Sequence, residues 1–315
     1  MSDNFGTGSA AGQVPVHDKH GNPSQPEPVP KKVPKKRVDL HMHSRHSDGT
    51  LTPEELVARA KSKGLSCIAL TDHDTASGIR SAQNAGRREG VEIIPGIEIS
   101  VIFEPGTMHI LGYFVDPENQ DLLEGLRPIQ EARQKRNPMI IERLRTLGME
   151  ITLEEVENVS GGGQVGRPHF ARVMVEKGYV KNFEEAFNKY LTRGGPAYID
   201  KRTVASADAI AMIRRSGGAA VLAHPKQLKV PHGKTFESEI AKLADQGLAG
   251  LEVYSSCQSL EEASYYKEVA NRFDLVVTGG SDFHGGNKAA VELGWMGEGV
   301  NLFYDTVEEL KSRRR

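Results

Sequence analysis

The chain has 315 residues, 38% of them hydrophobic, with a formal net charge of -2 and two cysteines. That length allows one large domain or two ordinary ones around a substantial core, and the near-neutral balance removes any global pull toward nucleic acid or membrane, so an anionic partner must be held by local charge or by metal. Cys67 and Cys257 are far apart and outside any Cys-x-x-Cys pattern, which excludes a disulfide framework and a thiolate zinc site and fits a reducing compartment.

No apolar run approaches the roughly 20 residues of a membrane helix, and the N-terminus lacks the apolar core of a signal peptide. The expectation is a soluble, cytoplasmic protein with no membrane partner. Residues 1–36 are rich in Gly, Pro, Ser and charge, with Pro23, Pro26, Pro28, Pro30 and Pro34 denying any regular helix. They read as a disordered tail, which includes His17 and His20 and ends in a solvated basic run from Lys31 to Arg37.

The first structured stretch is Val38-Asp39-Leu40-His41-Met42-His43, followed by Ser44-Arg45-His46-Ser47-Asp48-Gly49. On a strand, Val38, Leu40 and Met42 point one way and Asp39, His41 and His43 the other. Three ionisable side chains on one face are costly to bury unless something satisfies them, and a metal ion does so; the alternative is a polar face that meets water.

Strands and helices then alternate. Thr52-Pro53-Glu54-Glu55 is a capping box with proline at the first helical position, and Gly64 stops that helix. The apolar run 67–70 ends in Thr71-Asp72-His73-Asp74, and a helical stretch follows to about Glu89, closed by Gly90. Residues 93–99 read as a strand bent near Pro95-Gly96, and residues 108–114 as a fourth strand carrying His109.

Residues 116–203 break this rhythm with helical signals and almost no strand. A long helix runs toward Leu147 with Gly148 as its stop, and Pro128 and Pro138 are expected to interrupt it. Further helix starts stand at Thr152, near Pro168 and at Asn182. Arg133, Arg136 and Arg193 in this segment read as solvated or structural. The rhythm resumes with a helix over 206–215, the strand 219–223 before His224-Pro225, a helix near 237–244 and the strand 250–254 with Glu252 inside it. A helix over 259–271 then precedes the strand leading into Ser281-Asp282-Phe283-His284.

Metal-competent side chains thus recur at the ends of successive strands, where parallel α/β barrels gather active sites from several loops. Nothing resembles Gly-x-Gly-x-x-Gly or a Gly-x-x-x-x-Gly-Lys-Ser/Thr loop, which argues against a dinucleotide-binding or phosphate-loop enzyme. Asp39, Asp72, Asp74 and Glu252 are candidates to orient imidazoles from behind.

The blocks Asp39-Leu40-His41-Met42-His43, Ser47-Asp48-Gly49, Thr71-Asp72-His73-Asp74, Pro95-Gly96-Ile97-Glu98, His109, Ala223-His224-Pro225 and Ser281-Asp282-Phe283-His284 resemble the motif series of the PHP (polymerase and histidinol phosphatase) superfamily. The resemblance covers most of residues 37 to about 290, in family order. With no polymerase region and a helical insertion containing Gly166-Arg167-Pro168-His169-Phe170, the chain is similar to the stand-alone branch of nucleoside 3′,5′-bisphosphate phosphatases and 5′-to-3′ exoribonucleases.

The resemblance implies an α/β fold: a distorted (β/α)7 barrel formed by residues 37–115 and 204–315, with residues 116–203 as a helical cap. It implies three divalent ions, manganese first and iron or zinc as alternatives. One site would use His41, His43, Glu98 and Asp282; a second would share Glu98 and add His109 and His224; the third would use Asp48, His73 and His284. Imidazole and carboxylate donors without thiolates suit such metals. Glu98, His224 and Asp282 would carry catalysis, with Glu98 as the bridge and His224 a proton donor only if it is not a ligand. Arg167 and His169, at a helix start, would contact substrate, and Arg45 and His46 would meet a phosphate or a nearby carboxylate.

The expected activity is hydrolysis of a nucleotide phosphate ester, either the 3′-phosphate of a nucleoside 3′,5′-bisphosphate or the 5′ end of a short 5′-phosphorylated RNA. No obligate protein partner is evident. The alternatives are a histidinol phosphate or other small monoester phosphatase, and a non-catalytic binding module.

Overall fold

A computed structural model describes residues 35–200 and 203–314, so the tail expected over residues 1–36 lies, up to residue 34, outside the described residues. The first strand, β1 (Arg37–Asp39), continues as extended chain to His43, and both of its faces are buried: Leu40, His41, Met42 and His43 are each 0% exposed. The polar face therefore does not meet water. α1 (Pro53–Ser62) starts on the capping box, with Thr52 Oγ1 accepting from the Glu55 amide and the Glu55 carboxylate accepting from the Thr52 amide. It is followed by β2 (Leu65–Leu70), α2 (Ile79–Glu89) ending on left-handed Gly90, β3 (Glu92–Val101) and β4 (Met108–Tyr113).

The helical segment comprises α3 (Gln120–Thr146), α4 (Leu153–Ser160), α5 (Arg167–Glu176) and α6 (Phe183–Ala186), which runs into a π turn over Phe187–Leu191. The second half of the barrel follows as α7 (Ser206–Arg215), β5 (Ala219–Leu222), α8 (Lys234–Asp245), β6 (Gly250–Ser255), α9 (Leu260–Arg272) and β7 (Val276–Gly280). The sequence reading missed β8 (Leu302–Phe303) and α10 (Asp305–Ser312), the first being too short to show a period.

The strands pair in the order β7-β6-β5-β4-β3-β2-β1-β8. The ring closes between first and seventh strands: the Leu40 amide donates to Gly279 O, the Asp282 amide to His41 O at 2.8 Å, and Met42 bridges Phe283 in parallel. Only glycine fits at 280, because an added Cβ would stand 2.3 Å from His41 Cβ.

One strand of the barrel runs against the others. β4 runs antiparallel to both β3 and β5. No helix lies between β3 and β4, and a parallel return needs a crossover of about a dozen residues or more, so this short connection can only be a hairpin. β4 therefore begins at the rim where the parallel strands end, and His109, its second residue, reaches the same rim from the opposite chain direction.

The structure corrects the reading of the prolines. Pro128 and Pro138 lie inside a continuous 27-residue α3. Each forfeits one backbone hydrogen bond, but apolar burial anchors the helix on both sides. Leu122, Leu126 and Ile129 pack in the cluster that α7 also joins, while Ile140, Ile141 and Leu144 pack with Val156, Phe170 and Met174 of α4 and α5. Gly148 takes φ +80 just beyond its end, as the predicted stop requires. No described helix is long and apolar enough to cross a membrane.

Candidate metal centre

Nine side chains converge at the rim: His41 and His43 from the extension of β1, Asp48 from the next loop, His73 after β2, Glu98 from β3, His109 from β4, His224 after β5, and Asp282 and His284 after β7. Their donor atoms form four overlapping groups, each lying within 4.8 Å: His43, Asp48, His73 and His284; His41, Glu98 and His224; His41, His43 and Asp282; His73, Glu98 and His109. The groups share more members than the three predicted sets, since His43 also joins Asp48, and His73 also joins Glu98.

Glu98 is the hub. Its Oε2 lies 3.0 Å from His73 Nδ1, 3.1 Å from His43 Nε2 and 3.3 Å from His41 Nε2, while Oε1 lies 2.9 Å from both His109 Nδ1 and His224 Nε2. Even so, the buried Glu98 Oε2 and His73 Nδ1 make no hydrogen bond. Leaving such a group unsatisfied costs about 1–3 kcal/mol, and buried polar atoms ordinarily find partners. His41 Nε2 and His43 Nε2 face each other at 3.2 Å. Lone pairs and carboxylate oxygens gathered this way, with no thiolate, fit a cluster of divalent cations.

Charge within the centre agrees. Burial favours the neutral acid at Glu98, but His73, His109 and His41 outweigh it and hold the carboxyl well below its usual range. Asp48, beside His73 and His284, and Asp282, beside Lys288, His284 and His41, are likewise held low against burial. Positive charge beside the three buried carboxylates thus favours their ionised form, the form that binds cations.

Behind the donors, Glu252 takes His41 Nδ1 at 2.8 Å on one oxygen and the His224 amide at 2.6 Å on the other. His284 Nδ1 donates to Asp282 O at 2.7 Å, which turns its Nε2 inward. Asp39 and Asp72 serve differently from expectation. Asp39 accepts the Ser281 and Gly294 amides, and Asp72 accepts the Ser44 amide and the Ser44 and Ser47 hydroxyls, so both fix loops. Asp74 accepts the Ser100 amide and hydroxyl and pairs with Arg133. Asp74, His224 and Asp282 adopt φ of 53°, 26° and 55°, conformations that side-chain-bearing residues rarely take and that concentrate at functional sites.

A cavity of about 370 Å³ opens onto the centre and is lined by Asp48, His73, Glu98, His109, His224, Asp282 and His284 together with Arg133, Arg136 and Arg167. Arg136 is the clearest revision of the sequence reading. It is 3% exposed, its Nη2 donates to Asn137 Oδ1 at 3.2 Å, and its Nε has no partner among the described residues. Burial, with Arg133 and Arg167 nearby, pulls its pKa down to about 9. The signal was present in the helical period, because Ile129, Arg133, Arg136, Ile140 and Leu144 form one stripe at spacings of three and four. Arg167 donates to Leu191 O at 3.0 Å and lies over the rings of Phe187 and Tyr198. Arg193 is exposed, as expected, and pairs with Glu104 and Asp200.

Three predicted substrate residues do not line this cavity. His169 is buried and its Nδ1 accepts the Gly166 amide at 2.9 Å, capping α5. Asp72 turns Ser44 and Ser47 inward, which leaves Arg45 exposed beside Gly161 and sends His46 to Ser77 Oγ at 2.9 Å. Lys288, which the sequence reading passed over, does line it and meets Asp282 Oδ2 at 2.5 Å. It ends a single 3-10 turn, Gly285–Lys288, too short to show a period.

A barrel with a carboxylate-bridged imidazole cluster at its rim and a helical segment over the strand ends defines the metal-dependent hydrolase class. The chain belongs to the PHP domain family, whose match spans residues 39–252. It is 35% identical over 266 residues to the 3′,5′-nucleoside bisphosphate phosphatase of Chromobacterium violaceum, covering 82% of this chain and 90% of the relative. It is 37% identical over 248 residues to the 5′-3′ exoribonuclease Rnm of Escherichia coli, covering 78% and 84%. Among solved structures, an amidohydrolase from Chromobacterium violaceum with bound sulfate and no metal is similar at a TM-score of 0.79 and 34% identity, covering 89% of this chain and 97% of that one.

Proposed function

We propose that this protein is a metal-dependent phosphoesterase acting on nucleotides, which removes the 3′-phosphate of nucleoside 3′,5′-bisphosphates or trims short 5′-phosphorylated RNA from its 5′ end. The observation that carries the substrate reading is one cavity lined by seven of the nine candidate metal donors and by Arg133, Arg136 and Arg167. Among the described residues neither Arg136 nor Arg167 has a carboxylate within ion-pair reach, so an anion entering the cavity would complete them. Two separate places for negative charge suit a bisphosphate or a 5′-phosphorylated RNA better than a simple monoester.

In this reading His41, His43, Glu98 and Asp282 would hold one ion, Glu98, His109 and His224 a second, and Asp48, His73 and His284 a third, with manganese the first choice. Divalent ions bound there would supply Lewis acidity toward phosphoryl oxygens and a nucleophilic water near neutral pH. The chain's part is to fix geometry: Glu98 would be held in common by two of the sites, Glu252 holds the His41 ring with Nε2 aimed inward, and the arginines would orient the distal phosphate. Hydrolysis forms one bond from water oxygen to phosphorus and breaks the ester bond, and the released ribose oxygen takes up a proton.

The test is a kinetic panel of the manganese-loaded protein on adenosine 3′,5′-bisphosphate, histidinol phosphate and short 5′-phosphorylated RNAs. The highest kcat/KM is expected on the bisphosphate or the RNA. Histidinol phosphate as the best substrate would contradict the assignment, and no turnover on any would favour a binding module.

A further inference from the structure

Among the described residues, Lys288 is the one cavity-lining lysine or arginine that meets a candidate metal donor, and it does so from a fixed base. Asn287 Nδ2 donates to Asp48 O at 2.7 Å, while Asn287 Oδ1 accepts Arg172 Nε and Nη2 of α5 at 3.0 and 2.9 Å. A guanidinium only donates and a carbonyl only accepts, so this amide can stand only one way round. The Gly286 amide donates to Thr50 Oγ1 at 2.9 Å, and the Thr50 amide to His284 O at 3.2 Å. The turn Gly285–Lys288 is thereby tied to the Asp48 loop on one side and to α5 on the other.

Asp282 divides its two oxygens. Oδ1 lies 3.5 Å from His41 Nε2 and 3.4 Å from His43 Nε2, the imidazoles with which Asp282 forms a donor group, whereas Oδ2 takes the Lys288 ammonium at 2.5 Å. Among the described residues that ammonium makes no other hydrogen bond, although it carries three N–H groups, and the side chain is 40% exposed on the cavity wall. A fixed positive charge repels a second cation nearby, so a lysine placed only to hold Asp282 would weaken metal binding. An anion between them reverses the sign, because a phosphoryl oxygen beside Asp282 attracts both. We propose that Lys288 is a catalytic residue whose ammonium donates a hydrogen bond to a non-bridging oxygen of the scissile phosphoryl group, with Asp282 Oδ2 keeping the chain aimed there. The ammonium keeps its protons throughout. This rests on the phosphoesterase reading above and divides the work within one cavity: the arginines take the distal phosphate and Lys288 the one that reacts.

The experiment compares wild type with Lys288→Met in two measurements. One is manganese affinity, by competition with a chelating dye; the other is kcat/KM of the manganese-loaded protein on adenosine 3′,5′-bisphosphate, a short 5′-phosphorylated RNA and p-nitrophenyl phosphate. Manganese is expected to bind Lys288→Met at least as tightly as wild type, because a competing charge is gone. With metal saturating, kcat/KM is expected to fall about 10- to 100-fold, by a similar factor on every substrate that wild type hydrolyses, as for one lost hydrogen bond to a charged group. Manganese affinity that falls by about tenfold or more, with the rate restored by added metal, would make Lys288 a support for Asp282 and overturn the proposal. So would a loss confined to the substrates with a second phosphate, which would assign Lys288 to the distal group, or no loss on any. In each of these cases wild-type turnover leaves the phosphoesterase reading standing. Manganese-loaded wild type that hydrolyses none of the three would overturn both.

Discussion

Glu252 accepts His41 Nδ1 at 2.8 Å with one carboxylate oxygen and the His224 amide at 2.6 Å with the other. One buried acid thereby sets the tautomer of an imidazole at the centre and the position of the strained residue beside it. Partners of this kind typically account for about 10–100-fold in metal affinity. Glu252→Gln is expected to weaken divalent binding in that range, read by competition with a chelating dye, with the fold retained by circular dichroism. Unchanged affinity would mean that the bond is packing and not positioning.

Arg136 is buried and, among the described residues, has no carboxylate within ion-pair reach. Replacing a buried unpaired cation by an apolar chain of similar length relieves desolvation, so Arg136→Met is expected to raise stability by about 1 kcal/mol. The same change removes a charged hydrogen-bond donor, worth about 1.5–3 kcal/mol, from the distal phosphate, so kcat/KM on adenosine 3′,5′-bisphosphate falls while p-nitrophenyl phosphate is barely affected. Equal losses on both substrates would remove Arg136 from substrate recognition.

Arg59 and Glu292 form a two-point contact at 2.9 and 2.7 Å, tying α1 to the loop that follows the metal ligands of β7. The Arg59 bond lowers the Glu292 carboxyl from 4.5 to about 2. A depressed acid contributes stability that is fully present above pH 4.5 and is lost as pH falls through about 2. Both side chains are more than a third exposed, so the pair is worth at most about 1 kcal/mol. Glu292→Gln is expected to lower the melting temperature slightly at pH 7 and to match wild type near pH 2; a gap that persists in acid would assign the effect to packing.

The metal-competent residues were legible because their chemistry is unusual on a strand: two histidines on one face of residues 38–43, and acids and imidazoles at one strand end after another. What the sequence withheld is direction and depth. His109 stood out as a residue, but its place at the rim depends on β4 running backwards, which only the missing crossover before it could have signalled. Arg136 read as solvated or structural, and its part in lining the cavity was missed because charge was weighed above its place on an apolar stripe. His46 and Arg45 adjoin the motif in sequence, yet the hydrogen bonds of Asp72 turn the loop so that they point elsewhere.

The central claim is that phosphate release depends on metal held by the nine-residue cluster around Glu98. The direct test is the rate of phosphate release from adenosine 3′,5′-bisphosphate as manganese is titrated into chelated protein, with bound metal counted by elemental analysis. The account predicts no turnover without metal and a rate that rises until more than one ion is bound per chain. A full rate in metal-free protein, or saturation at a single ion, would contradict it.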